Sequence, residues 1–104
     1  MFCAVYITTK NVAEARKISK MLVKKKLVAC ANIFPRIESI YEWKGKMQDH
    51  GESLIIGKTK KTLIKKIVSE VKKIHSYDVP CITALDIDGG NPDFLNWVSK
   101  VTTK

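Results

Sequence analysis

The most reactive side chains in the sequence are three thiols, Cys3, Cys30 and Cys81. Their number is odd and they are spread along the whole chain. No disulfide framework follows, and no Cys-x-x-Cys pair points to structural zinc. All three lie in apolar runs, where a free cysteine packs as a small hydrophobe. Burial of that kind is expected for Cys3 and Cys81. Nucleophilic catalysis needs a base beside the nucleophile, and no such pair stands out. The segment Thr8-Thr9-Lys10-Asn11 leads into a helix whose N-terminus can hold an anion. It has no glycine to cradle a phosphate and nothing that activates water, so no enzyme is predicted.

The elements that would carry these residues are legible from periodicity. Phe2–Thr8 is a near-continuous apolar run rich in aromatic and β-branched residues, which predicts a strand. Asn11 followed by Glu14 has capping-box spacing and opens a helix. Ala15, Ile18, Met21 and Leu22 form its apolar face, with Glu14, Arg16, Lys17, Lys20 and Lys24 predicted to face water. A long strand is expected over Val28–Trp43, bent or bulged at Pro35. Lys44-Gly45 then turns the chain back, giving a hairpin arm that projects from the domain. The third strand is placed at Glu52–Thr59.

Ile64, Ile67, Val68, Val71 and Ile74 predict a second helix, with Lys61, Lys65, Lys66, Glu70 and Lys73 elsewhere around it. His75–Pro80 ends that helix and Cys81–Ile87 forms a fourth strand. Asn91-Pro92-Asp93 starts a last helix with a cap, a proline in the first turn and an acid behind it. Phe94, Trp97, Val98 and Val101 make its apolar stripe. The order βαβ–βαβ plus a terminal helix is the split-βαβ, ferredoxin-like α+β arrangement: an antiparallel sheet with the two main helices on one face.

With 104 residues there is room for one domain, spanning 1–104. No stretch approaches the ~18 apolar residues of a membrane span. Met1-Phe2-Cys3-Ala4 lacks the basic lead of a secretory signal, so a cytoplasmic protein is expected. The net charge of +9 is carried mostly by lysines on helix surfaces and helix ends, and reads as a solvated lysine surface. The strands carry a stronger message. Phe2, Ala4 and Tyr6 oppose Cys3, Val5 and Ile7; Cys81, Thr83, Leu85 and Ile87 oppose Ile82 and Ala84. Both sheet faces are apolar where one should alternate with polar residues. An apolar arm carrying Tyr41 and Trp43 would also invite aggregation unless paired. Identical copies in closed assembly solve both problems, and a homo-oligomer is predicted.

Four segments in register are more specific. Val28-Ala29-Cys30-Ala31-Asn32-Ile33, Tyr41-Glu42-Trp43-Lys44-Gly45-Lys46, His75-Ser76-Tyr77-Asp78-Val79-Pro80 and Phe94-Leu95-Asn96-Trp97 closely resemble the CutA family of divalent-cation tolerance proteins. The resemblance covers essentially the whole chain. It implies a ferredoxin-like protomer, a stable homotrimer built through the long hairpins, a PII-like shape and a link to copper tolerance. On that basis a copper or other divalent-cation site is expected at Cys30 and His75, completed by Glu42 or by a residue of another subunit. Thiolate and imidazole suit copper or zinc. The alternative is structural: Cys30 packed within its strand, His75 closing the second helix with its ring bonded near Tyr77. Tyr41, Trp43, Tyr77 and His75 are expected at an intersubunit pocket or interface.

Two other activities share this architecture. Acyl phosphate hydrolysis requires a phosphate-cradling loop with arginine after the first strand, which Thr8–Asn11 does not supply. RNA-recognition domains stack bases on aromatic residues of the central strands. Leu54-Ile55-Ile56-Gly57-Lys58 has none, so no specific nucleic-acid partner is predicted.

Overall fold

A computed structural model describes all residues, Met1–Lys104. Its elements are β1 (Phe2–Thr9), α1 (Val12–Lys24), β2 (Cys30–Trp43), β3 (Lys46–Lys60), α2 (Ile64–Lys72), β4 (Ile82–Ile87) and α3 (Pro92–Val101). The four strands form one antiparallel sheet in the order β2-β3-β1-β4. This is the expected ferredoxin-like fold.

Register divides the sheet into two chemically distinct faces. Val5 lies opposite Gly57 and Ile7 opposite Ile55, and this side meets the helices. Val5, Ile7 and Ile55 pack there with Ala15, Ile18 and Leu22 of α1 and Ile67 and Val71 of α2 into one core. Phe2, Ala4, Tyr6, Leu54, Ile56 and Leu85 project from the other side. Leu85 is exposed, as is Phe34 at the sheet's β2 edge.

The helix ends follow their local sequence. Asn11 is extended, and its side chain accepts from the Glu14 amide at 2.9 Å. At the other end Lys26 adopts a left-handed φ of 60°. That lets Lys26 N–H reach Val23 O and Leu27 N–H reach Leu22 O, the paired bonds of a Schellman close. Asn91 caps α3 through the Asp93 amide at 3.0 Å.

The β2–β3 hairpin is the feature that positions the site. Phe34 pairs with Leu54, but Ile37 pairs with Glu52, so β2 carries one extra residue around Pro35. Ser53 Oγ donates to the Pro35 carbonyl at 2.6 Å and braces the bulge. The extra residue inverts the alternation of β2. Before it Cys30, Asn32 and Phe34 face the open side; after it Ile37, Ser39, Tyr41 and Trp43 do. The arm ends at Lys44 and Gly45, both with positive φ, the signature of a tight two-residue hairpin turn. It helps stretch the molecule to 45 Å along its longest axis.

Several expectations need correction. β3 begins at Lys46 rather than Glu52, because the arm pairs along its full length. Helix α2 ends at Lys72, before Ile74, which still packs against the core. Cys81 precedes β4 and is exposed, so only Cys3 behaves as a buried hydrophobe. Phe94 and Trp97 stack 5.8 Å apart but stay exposed, leaving Val98 as the buried residue of α3. Glu14, expected in water, is buried, and so is Glu70. Lysines Lys25 and Lys73 cover Glu70 as ion-pair partners and hold its pKa down at about 2.

Candidate functional site

The site is assembled by the segment after α2 folding over the end of β1. Glu14, in the first turn of α1, fastens it. Its carboxylate accepts from the Lys10 amide at 3.0 Å, the Ser76 amide at 2.8 Å and the Ser76 hydroxyl at 3.0 Å. The capping box is thus rearranged: the carboxylate reaches the residue before the cap and a second segment. Burial alone would raise the Glu14 pKa. The hydrogen bonds, helped by nearby His75, outweigh it and hold the carboxyl below its ordinary range.

His75 is held on both ring nitrogens. Nε2 lies 2.8 Å from the Thr8 carbonyl, and Nδ1 accepts the Tyr77 amide at 3.1 Å. The acceptor role of Nδ1 places the proton on Nε2, which donates to Thr8. Tyr77 stacks obliquely on this ring at 4.9 Å. Its hydroxyl donates to Glu52 Oε2 at 2.5 Å. Burial, then the bond to Glu52 and the surrounding negative charge, push the Tyr77 pKa well up. Tyr77 is therefore a standing hydrogen-bond donor and not a base.

From Glu52 the network continues into the arm. His50 Nε2 lies 4.0 Å from Glu52 Oε2, and Tyr41 Oη approaches His50 Nδ1 at 3.4 Å with the rings edge to face. These groups border a cavity of about 500 Å³ on the open side of the sheet. Trp43, Gln48, Asp78, Val79 and Cys81 complete much of its wall.

The structure brings Tyr41, Trp43 and Tyr77 together at this cavity, with His75 directly behind Tyr77. It does not bring Cys30, His75 and Glu42 together in one chain. Cys30 pairs with Lys58 at the base of β2, whereas Glu42 pairs with Met47 near the arm tip. Twelve residues of strand separate them by roughly 40 Å, and the bulge puts them on opposite faces. No group of three His, Cys, Asp or Glu side chains is arranged to hold a metal. Cys30 is half-buried on the open side.

Sequence reasoning missed His50, Gln48 and the role of Glu52. The signal was present. A two-residue turn at Lys44-Gly45 fixes the register, so Tyr41 must oppose Gln48 and Ser39 must oppose His50.

Fold and site together define a ferredoxin-like α+β domain with a projecting β-arm and an aromatic, acid-lined cavity along the arm. The family model described as CutA1 divalent ion tolerance protein matches residues 3–101. The chain belongs to this family. It is 43% identical over 96 residues to the divalent-cation tolerance protein CutA of Archaeoglobus fulgidus, covering 92% of this chain and 93% of that one. It is 40% identical over 99 residues to Protein CutA of Mus musculus, covering 95% of this chain and 56% of the mouse protein. The chain spans about half the length of several such curated relatives. Among solved structures, the divalent cation tolerance protein of Thermus thermophilus superposes with a TM-score of 0.96 at 40% identity, covering 99% and 100% of the two chains.

Proposed function

We propose that this chain acts in divalent-cation tolerance as a non-catalytic homotrimer. The observation that carries the assembly is the open sheet face, where Leu85 stands uncovered and Phe34, Tyr41 and Trp43 extend the apolar surface onto the arm. Apolar surface of that extent is buried by association. Three copies are what the family resemblance implies. Sedimentation equilibrium at micromolar concentration tests it: a mass of three chains is expected, and a stable, folded single chain overturns it.

The metal part of this reading assigns copper or another divalent cation to Cys30, with His75 and Glu42 as further donors. Donor chemistry supports it. The separation of Cys30 from Glu42 within one chain means such a set is completed across a subunit boundary, and His75 joins it by releasing Thr8 or Tyr77. Copper titration of the wild type against Cys30→Ala and His75→Ala is decisive. Each variant should weaken binding; unchanged affinity in both ends this part. A cytoplasmic location belongs to the same reading, supported by three cysteines that are all free thiols.

A second reading is favoured by the cavity along the arm: a PII-like scaffold that takes a small ligand or partner segment in a cleft between subunits. Metal content of protein purified without added metal separates the two. Near-stoichiometric metal supports the first, and metal-free protein that binds organic ligands supports the second.

A further inference from the structure

We propose that the cavity between the arm and residues 77–81 binds an organic cation bearing N–H donors, a primary ammonium or guanidinium on an apolar body. This deepens the cleft reading and rests on it. Glu52 carries the argument. Its side chain is only 7% exposed. Oε2 takes the Tyr77 hydroxyl, while Oε1 accepts no hydrogen bond from the chain. Oε1 is not sealed in, because Ser19 Oγ is the one enclosed side-chain polar atom without a partner. Oε1 therefore keeps solvent access, and Glu52 lines the cavity. A buried carboxylate with a free oxygen selects a donor, and a charged donor most strongly.

The remaining wall has the matching chemistry. Glu52 and Asp78 contribute two carboxylates, His50 is the only basic residue, and no lysine or arginine lines the space. This acidic patch sits on a chain of net charge +9, so the local sign is inverted. Tyr41 and Trp43 add aromatic surfaces, which attract cations. A volume of about 500 Å³ falls within the range of small-molecule sites. A quaternary ammonium would satisfy the rings but offer Oε1 no hydrogen, so N–H-bearing cations are preferred. The cation comes from one of two sources: a free amine or guanidine, or a lysine or arginine of a second copy.

Calorimetric titration of the assembled full chain with phenethylamine tests the inference, beside neutral 2-phenylethanol and anionic 3-phenylpropionate. Wild type, Glu52→Gln and Trp43→Ala are compared, with sedimentation of each. Phenethylamine should bind at least tenfold more tightly than either control. Glu52→Gln should weaken it by about ten- to a hundredfold, the worth of a charge-assisted bond. Unaltered sedimentation then identifies a free ligand. If a neighbour's basic side chain occupies the site, Glu52→Gln alone shifts the protein to smaller species and phenethylamine does the same to wild type; this too supports the inference.

Controls that bind as well as the amine, with Glu52→Gln inert, overturn the cation assignment and leave the cleft reading standing. No binding of any probe, with unchanged assembly in Glu52→Gln, overturns both. Should circular dichroism show Glu52→Gln misfolded, the exposed Asp78→Asn decides beside Trp43→Ala. Weaker amine binding in both supports the inference, and unchanged binding overturns it.

Discussion

The β2–β3 hairpin is one continuous element with two unlike halves. At its root, Ile55 is completely buried beneath the helices and Gly57 is wedged between Val5 and Val28. Past the bulge the same two strands run on as a ribbon, with Ile40 64% and Met47 74% exposed. The root is ordered by packing from several elements. The arm is ordered by its own ladder and turn, and a two-stranded ribbon is marginal by itself. Sequence of similar apolar character therefore does two jobs: intrachain core on one side of Pro35, and exposed surface on the other.

Truncation should expose this contrast most strongly. Ile55→Ala at the root is expected to cost about 2–5 kcal/mol, the range for a large-to-small change in a closed core. Met47→Ala in the arm should change unfolding by less than about 0.5 kcal/mol. Denaturant unfolding at fixed protein concentration measures both. A comparable loss at Met47 would mean that the arm is packed as tightly as the core, and the distinction would fall.

Two of the hairpin's three glycines, Gly57 and Gly45, sharpen the comparison. A Cβ on Gly57 would meet Val5 Cγ2 at 3.0 Å and Val28 Cγ1 at 3.1 Å. Gly57→Ala should cost about 1–3 kcal/mol by overpacking. At Gly45 nothing lies within 4 Å, but φ is +79°. Gly45→Ala should cost about 1 kcal/mol through backbone strain alone, and the loss should be confined to the arm. Amide hydrogen exchange distinguishes them: the first raises exchange throughout the core, the second only between Ile37 and Glu52.

How much of this was legible depends on the range of the interactions. The Lys44-Gly45 turn, the bulge at Pro35 and the caps at Asn11 and Asn91 are local, and the sequence displays them directly. Glu14 was not readable as buried. Its position beside Ala15 is ordinary for a surface acid, and what covers it is Ser76, 62 residues away. Cys81 misled for the converse reason: its apolar neighbours suggested a strand interior, but β4 starts one residue later. Tyr41 and Trp43, expected at an intersubunit pocket or interface, line the cavity together with Tyr77. Glu52 and His50 were overlooked because the third strand was started too late, hiding their register opposite the aromatic side of β2.

The clamp at Glu14 joins the two regions, since it fixes the segment bearing His75 and Tyr77 against the arm's root. Glu14→Gln should cost about 1 kcal/mol at neutral pH, as hydrogen bonds to a charged acceptor become neutral ones. The pH dependence has a definite sign. The folded carboxyl titrates below its unfolded value, so its contribution is complete above the unfolded carboxylate pKa of about 4.3. It disappears as pH falls through the folded value. Stability of wild type should therefore fall more steeply than that of Glu14→Gln below about pH 4.5. Parallel curves from urea melts across that window would separate the clamp from the ionised state.

The smallest effects come from two lysines that occupy left-handed backbone, Lys26 with φ 60° and Lys44 with φ 51°. Glycine relieves such a conformation at either place. Lys26 closes α1, and Leu27 beyond it is a core residue, so relief there acts on the cooperative unit. Lys26→Gly should raise global stability by up to about 1 kcal/mol, measured as a higher denaturant midpoint with unchanged slope. Lys44 lies at the tip of the ribbon, outside the core cluster, so relief there is expected to act locally. Lys44→Gly should leave the global midpoint in place and slow exchange only for arm amides. The same backbone strain, relieved by the same substitution, is thus felt by the whole fold in one region and by the arm alone in the other. Equal gains in global stability would show that the arm unfolds with the core and that the boundary at Pro35 is not an energetic one.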